Sequence, residues 1–117
     1  MVLKFARSFG HALQGFRTIW RTQRNFRIQI VVAILVVLVS VILRFSSLEL
    51  VAVLIAISMV VIAEGFNTVI EYSMDLYKSH PDPLVCRIKD IMASVVLMAS
   101  CFSVLIGLLV LWHHFVG

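Results

Sequence analysis

The sequence predicts an all-α integral membrane protein with three transmembrane helices and an N-terminal amphipathic surface helix. Of its 117 residues, 62% are hydrophobic, and the mean hydropathy is +1.06, whereas a soluble domain is about 45–50% apolar. A chain this short cannot hide such an excess in a water-soluble core. Three long apolar stretches, separated by short polar links, are where we expect helices to cross the membrane.

The N-terminal segment, residues 1–27, contains basic and apolar residues but no acid. Apolar residues recur in it at intervals of three and four positions, and they predict one apolar helical face: Phe5, Phe9, Ala12, Phe16 and Ile19. A basic amphipathic helix of this kind lies in the interface of a membrane rather than across it.

The predicted spans are residues 28–43, 48–75 and 90–113, and with the surface helix they form a single domain over residues 1–117. Ser47 is a candidate cap for the second span, and the two prolines of KSHPDPLVCR require a turn before the third. Nine of the ten Lys and Arg side chains precede the first span or lie between the second and third. The positive-inside rule places these regions in the cytoplasm and the C-terminus outside the cell membrane.

Two residue pairs have structural interpretations. Cys86 and Cys101 would lie roughly 22 Å apart on one helix, too far for a disulfide. His113 and His114 could suggest a metal pair, but adjacent helical residues point about 100° apart, and the nearby sequence contains no acid. We interpret them as interfacial anchors beside Trp112.

The third span also carries small residues at every fourth position, at Ala99, Ser103 and Gly107. A face of small residues lets helix backbones approach each other closely in a membrane. We therefore predict that this face packs against other helices.

A row of polar residues follows the apolar part of the second span. Its members are separated by three, four and four positions: Glu64, Asn67, Glu71 and Asp75. They share one helix face over about 16 Å. Because ionisable side chains in a span usually face a bundle interior or a watery pocket, we predict a functional site open to the cytoplasm. The alternative is a solvated continuation of the helix, which suits Asp75 better than Glu64.

The chemistry of this row points to phosphates and protons. Carboxylate and amide oxygens suit Mg²⁺, which often shares its coordination sphere with substrate phosphates, and a carboxylate near the membrane surface could accept a proton from a lipid hydroxyl. Lys89 could bind a phosphate as a point charge, although Lys89–Asp90 is equally typical of an interfacial pair. The sequence contains no Walker-type GxxxxGK[ST] motif and no kinase Gly-rich loop, so nucleotide chemistry would need another scaffold.

The stretch EGFNTVIEYSMD, followed after thirteen residues by KD, resembles the small prokaryotic diacylglycerol kinase family, which includes the undecaprenol kinases of Gram-positive bacteria. The upstream QRNFR resembles the E-R-N-F-R of that family, and the match covers nearly the whole chain. The resemblance implies a homotrimer of three-span subunits. It also implies phosphorylation of a membrane lipid alcohol, undecaprenol or diacylglycerol, by ATP with Mg²⁺, and no nucleic-acid partner.

The resemblance assigns roles to individual positions. Glu64 would be the general base and Glu71 a Mg²⁺ ligand. The remaining positions would contact the nucleotide: Asn67, Asp75, Lys89, Asp90 and Lys4. The second metal carboxylate of the family is replaced by Gln23, which keeps a carbonyl oxygen but loses a negative charge, so metal binding should be weaker. Asp82 stands where the family often has a histidine, and His80 lies two residues earlier.

Two other functions remain open. A small membrane transporter also combines few spans with a membrane carboxylate, but it usually carries that carboxylate well inside an early span. Lys89–Asp90 has no evident role in transport. Gln23 instead favours a catalytically impaired member of the kinase family or a membrane scaffold without activity.

Overall fold

The computed structural model describes residues 1–77 and 82–117. These residues form four helices: α1 (Val2–Thr22), α2 (Arg24–Ile42), α3 (Ser47–Asp75) and α4 (Pro83–Phe115). No β-strand occurs in the described part of the chain. Since α2, α3 and α4 are each long and apolar enough to cross a membrane, the predicted all-α membrane architecture is confirmed.

The third helix holds the bundle together. It packs extensively against α4 and also against α2, whereas α1 contacts mainly α2. Among the described residues, few apolar side chains are buried: Phe26, Val53, Ala56, Ala63 and Val110. Most of the large apolar side chains lie on the outside, and such an exterior needs lipid or partner helices to cover it.

A sharp corner separates α1 from α2. Gln23 is extended, with φ −112° and ψ 103°, so the surface helix ends at Thr22 and not at residue 27 as expected. The guanidinium of Arg27 donates to the backbone oxygens of Trp20 and Arg21 at 2.8 and 3.0 Å. These carbonyls lie in the last turn of α1 and have no partner within that helix. Arg27, which belongs to α2, therefore stabilises the corner.

A second corner joins α2 to α3. Arg44 adopts a left-handed conformation with φ 59°, a common way to leave a helix. Ser46 then caps α3: its hydroxyl accepts from the backbone N–H of Glu49 at 3.2 Å, while the Glu49 carboxylate accepts from the backbone N–H of Ser46 at 2.9 Å. The predicted cap, Ser47, is one residue late, because the reciprocal capping box needs its acid three residues after the cap.

The two longest helices are longer than the hydrocarbon core of a bilayer is thick. With 29 and 33 residues, α3 and α4 are about 44 and 50 Å long, against a hydrocarbon core of about 30 Å. The fourth helix begins at Pro83, seven residues before the predicted third span, because Oδ1 of Asp82 accepts from the backbone N–H of Leu84 at 2.8 Å and proline suits the first helical position. His80 and Pro81 lie outside the described residues.

Candidate active site

The polar row lies on an unbroken helix. Because α3 continues to Asp75, the spacing of the four residues places them along one face, as helical geometry requires. Exposure rises along the row: Glu64 is 4% exposed, Asn67 and Glu71 are partly buried, and 41% of the Asp75 side chain is exposed. The row therefore runs from a buried carboxylate to a surface one.

The buried end of the row is held by a residue that the sequence analysis did not identify. Nε2 of Gln29, on α2, donates to Oε2 of Glu64 at 3.1 Å. The hydroxyl of Thr68 donates to the backbone oxygen of Glu64 at 3.1 Å, so it leaves the carboxylate free. Nothing local in the sequence links residues 29 and 64, since their contact depends on how α2 packs against α3.

In the middle of the row, Nδ2 of Asn67 donates to Oε1 of Glu71 at 3.4 Å. Because Nδ2 faces Glu71, the carbonyl oxygen of the same amide points away from the carboxylate and is a separate candidate metal ligand. The two side chains thus present several oxygen atoms one helical turn apart. Oxygen ligands of this kind suit Mg²⁺, which needs only one or two carboxylates when phosphates complete its coordination.

The exposed end of the row meets the fourth helix. Nζ of Lys89 lies 3.3 Å from Oδ1 of Asp75, and both side chains are about two-fifths exposed (43% and 41%). An ion pair so open to water contributes only about 0–1 kcal/mol to stability. Lys89 can therefore exchange its partner for a phosphate at little cost.

The corner between α1 and α2 lies beside the row. The hydroxyl of Tyr72 donates to Oγ1 of Thr22 at 3.0 Å. Tyr72 follows Glu71 in the chain and Thr22 precedes Gln23, so this bond brings the corner to the level of the candidate metal ligand. Gln23 is partly buried there.

Several residues considered in the sequence analysis, Gln23 among them, are not brought into this cluster by a described side-chain contact. Asp90 is exposed on α4, and Asp82 acts as the cap of that helix. Lys4 is exposed in the first turn of α1, about 28 Å along the helix axis from Gln23. Within the described residues, no group of three or more His, Cys, Asp or Glu side chains is arranged to hold a metal ion.

The opposite end of the bundle contains a second polar cluster. Oε1 of Glu49 lies 2.8 Å from Nδ1 of His113, and Oε2 lies 2.9 Å from Nδ1 of His114. The expectation that these histidines have no acid near them was therefore wrong, because the fold returns the start of α3 to the end of α4. The S-x-x-E pattern of the capping box was a signal for Glu49 in the sequence, but it gave no indication of its histidine partners.

Fold and site together define a small membrane protein with an oxygen-rich site at one end of its helices. The model of the prokaryotic diacylglycerol kinase family matches residues 10–111. The chain belongs to this family, as the motifs indicated, and is therefore a membrane lipid kinase.

Named relatives of two kinds resemble the chain. It is 32% identical over 107 residues to an undecaprenol kinase of Bacillus subtilis (strain 168), covering 92% of this chain and 87% of the relative. It is 28% identical over 112 residues to a diacylglycerol kinase of Escherichia coli (strain K12), covering 96% of this chain and 92% of that relative. A diacylglycerol kinase of Synechocystis sp. is 30% identical over 101 residues, covering 86% of this chain and 58% of that protein.

Proposed function

We propose that this kinase transfers the γ-phosphoryl group of ATP to the hydroxyl of undecaprenol at the cytoplasmic face of the cell membrane. The observation that carries the proposal is the graded polar row of α3, which begins at a buried carboxylate and ends at an exposed lysine–carboxylate pair. In this proposal a lipid hydroxyl approaches Glu64 from the membrane, while the nucleotide phosphates approach the Lys89 end from water.

In this proposal Glu64 is the general base. The lipid oxygen forms a bond to the γ-phosphorus as the bond from that phosphorus to the β–γ bridging oxygen breaks. The hydroxyl proton passes to the Glu64 carboxylate, and ADP leaves with the bridging oxygen. Proton transfer by a positioned carboxylate contributes about 10²–10⁴-fold to such a reaction.

Glu71 and Gln23 would hold Mg²⁺, and Asn67, which is bonded to Glu71, would contact the nucleotide. The oxygen donors of Glu71 and Gln23 suit the ion, and the Tyr72–Thr22 bond keeps the corner that carries Gln23 at the level of Glu71. When bound, Mg²⁺ neutralises the charge on the transferring phosphate. Gln23 supplies a neutral carbonyl oxygen in place of a carboxylate, so the site attracts the cation less strongly.

Lys89, Asp90 and Asp75 would bind the nucleotide near the start of α4, with Lys89 leaving Asp75 for the phosphates. Lys4 lies at the far end of α1, about 28 Å along the axis from Gln23. We therefore place Lys4 at the nucleotide of a neighbouring subunit in a proposed homotrimer, in which the surface helix of one subunit extends toward the site of another. Such an assembly would also cover part of the apolar exterior of the single chain.

The proposed topology follows the charges. Arg44 is the only Lys or Arg in the connection between α2 and α3, whereas six precede the first predicted span and three lie between the second and third predicted spans. The positive-inside rule then puts the polar row at the cytoplasmic side, where ATP is found, and the C-terminus outside.

Phosphate transfer in lipid vesicles tests the proposal. Purified protein is given ATP labelled in the γ-phosphate and either undecaprenol or diacylglycerol, with and without Mg²⁺. The higher identity to the undecaprenol kinase, 32% against 28%, favours a higher kcat/KM for undecaprenol. A preference for diacylglycerol would overturn the substrate assignment, and no transfer to either lipid would indicate an impaired kinase or a non-enzymatic membrane protein.

A further inference from the structure

One end of the Gln29 side-chain amide forms a hydrogen bond, and the other end forms none within the described residues. Its Nε2 donates to Oε2 of Glu64 at 3.1 Å, while its Oε1 is buried and has no hydrogen-bond partner in the described part of the chain. A buried carbonyl without a partner is costly, and such groups in native proteins call for an explanation.

The groove beside Gln29 supplies no partner for that oxygen. The groove beside it between α2 and α3, about 190 Å³ in volume, is otherwise lined by aliphatic side chains: Ile28, Val32, Ala33, Val36, Ile57, Val60 and Val61. None of these side chains can donate a hydrogen bond. Within the described residues, the one side-chain hydrogen bond of Gln29 is the bond from its amide to the Glu64 carboxyl.

The two ends of an amide match the two states of a carboxyl group. An ionised carboxylate only accepts hydrogen bonds, so it needs the N–H of Gln29. A protonated carboxyl carries an O–H, which needs an acceptor. If the amide rotates by 180°, Oε1 takes the place of Nε2 and accepts that O–H, while Nε2 moves to the position that Oε1 leaves.

We propose that Gln29 is a positioning residue that holds Glu64 in both protonation states by reversing its amide. This inference rests on the proposed role of Glu64 as the base. Before phosphoryl transfer, Nε2 donates to the carboxylate and aims it. After the lipid hydroxyl has given its proton to Glu64, Oε1 accepts the new O–H. Return of that proton to water restores the first orientation.

A simple structural bridge between α2 and α3 makes different predictions from this role. A bridge would affect folding and the binding of both substrates, whereas a partner for the protonated base affects the chemical step. The informative change is Gln29→Met, which keeps the length and removes both the donor and the acceptor. Val32→Met, on the same helix and lining the same groove, is the matched control because it has no bond to Glu64.

Steady-state kinetics in lipid vesicles supply the first readout. We expect Gln29→Met to lower kcat at least roughly 10-fold, the scale of a hydrogen bond to a charged group, with the KM values for ATP and lipid unchanged. Gln29→His should recover part of the rate, because a neutral imidazole can donate or accept according to its tautomer. Val32→Met should keep the wild-type kcat.

Infrared spectroscopy at acid pH supplies a readout that does not need turnover. Subtracting the spectrum of Glu64→Gln from that of the wild type isolates the carbonyl band of protonated Glu64. We expect this band to move to higher frequency in Gln29→Met, because its O–H has lost the amide acceptor. Circular dichroism checks that each variant is folded.

The possible outcomes distinguish a failure of the role of Gln29 from a failure of the proposed kinase function. If the wild type transfers phosphate but Gln29→Met matches Val32→Met in kcat and leaves the Glu64 band in place, Gln29 does not position the base and the inference fails alone. If the wild type transfers no phosphate to either lipid, the proposed function fails. The infrared shift then still decides whether the amide serves the protonated carboxyl.

Discussion

Oε1 of Glu49 lies 2.8 Å from Nδ1 of His113, so a contact across 64 positions of sequence joins the first turn of α3 to the last turn of α4. The other carboxylate oxygen meets both His114 and the backbone N–H of Ser46 at 2.9 Å. Only 9% of the Glu49 side chain is exposed. One buried carboxylate thus caps α3 and binds the end of α4.

We expect Glu49→Ala to destabilise the protein more than the loss of a helix cap alone would. The variant loses the capping interaction with Ser46 and also the contacts with His113 and His114. Thermal unfolding in detergent measures the change. Asp82→Ala is the matched control, because Asp82 caps α4 through one exposed hydrogen bond and touches no histidine in the described structure. Equal losses in the two variants would mean that the histidines contribute nothing.

A second prediction concerns the missing charge at the α1–α2 corner. If Gln23 belongs to the metal site, Gln23→Glu should lower the Mg²⁺ concentration needed for half-maximal activity and raise kcat, because a carboxylate attracts the cation more strongly than an amide. A Mg²⁺ titration of phosphate transfer measures both effects. Gln14→Glu makes the same change on the exposed surface of α1 and should leave the titration where it was. An unchanged Gln23→Glu titration would place residue 23 outside the coordination sphere.

The small-residue face of α4 gives a third prediction. Within the chain, Ser103 already uses this face, since its hydroxyl donates to the backbone oxygen of Ala56 at 2.7 Å. Gly107 adjoins a groove of about 290 Å³ between α2 and α4, and a Cβ added there meets no atom within 4 Å. A Cβ at position 107 therefore has room in the single chain, and packing within one chain gives no reason for a glycine there.

We expect Gly107→Leu to lower the trimer fraction in cross-linking experiments while the helical content stays unchanged. Gly107→Ala, which adds one methyl group, should change the trimer fraction much less. The physical reason is that small residues permit close helix approach in a membrane, and a leucine prevents it. A wild-type level of trimer in Gly107→Leu would show that this face is not the subunit interface.

The features that the sequence predicted depend on residues close together in the chain, whereas the partners that it missed are far apart in the chain. The face shared by Glu64 and Asp75 follows from a local period of 3.6 residues, and the three spans follow from hydropathy. The partners Gln29 and His113 depend on the packing of helices 35 and 64 positions apart, which no local pattern encodes. Helix starts fall between these cases, because Ser46 is identifiable once the capping box is applied.

The last prediction separates the two carboxylates of the proposed active site. Glu64 and Glu71 share one face of α3, roughly 10 Å apart along the axis. Glu64 is buried against Gln29, while Glu71 is partly exposed and paired with Asn67. Their positions suit the lipid hydroxyl and the metal–nucleotide complex respectively.

We expect Glu64→Gln to keep ATP binding and to lower kcat by about 10²–10⁴-fold, the contribution of a general base. Glu71→Gln should instead weaken the binding of ATP in the presence of Mg²⁺ and leave its weaker Mg²⁺-free binding unchanged. Each variant serves as the control for the other, since both replace one carboxylate on the same helix by the same amide. Nucleotide affinity measured with and without Mg²⁺, together with kcat, distinguishes the two roles. Loss of ATP binding in Glu64→Gln but not in Glu71→Gln would reverse the assignment, and full activity in both variants would make the polar row structural.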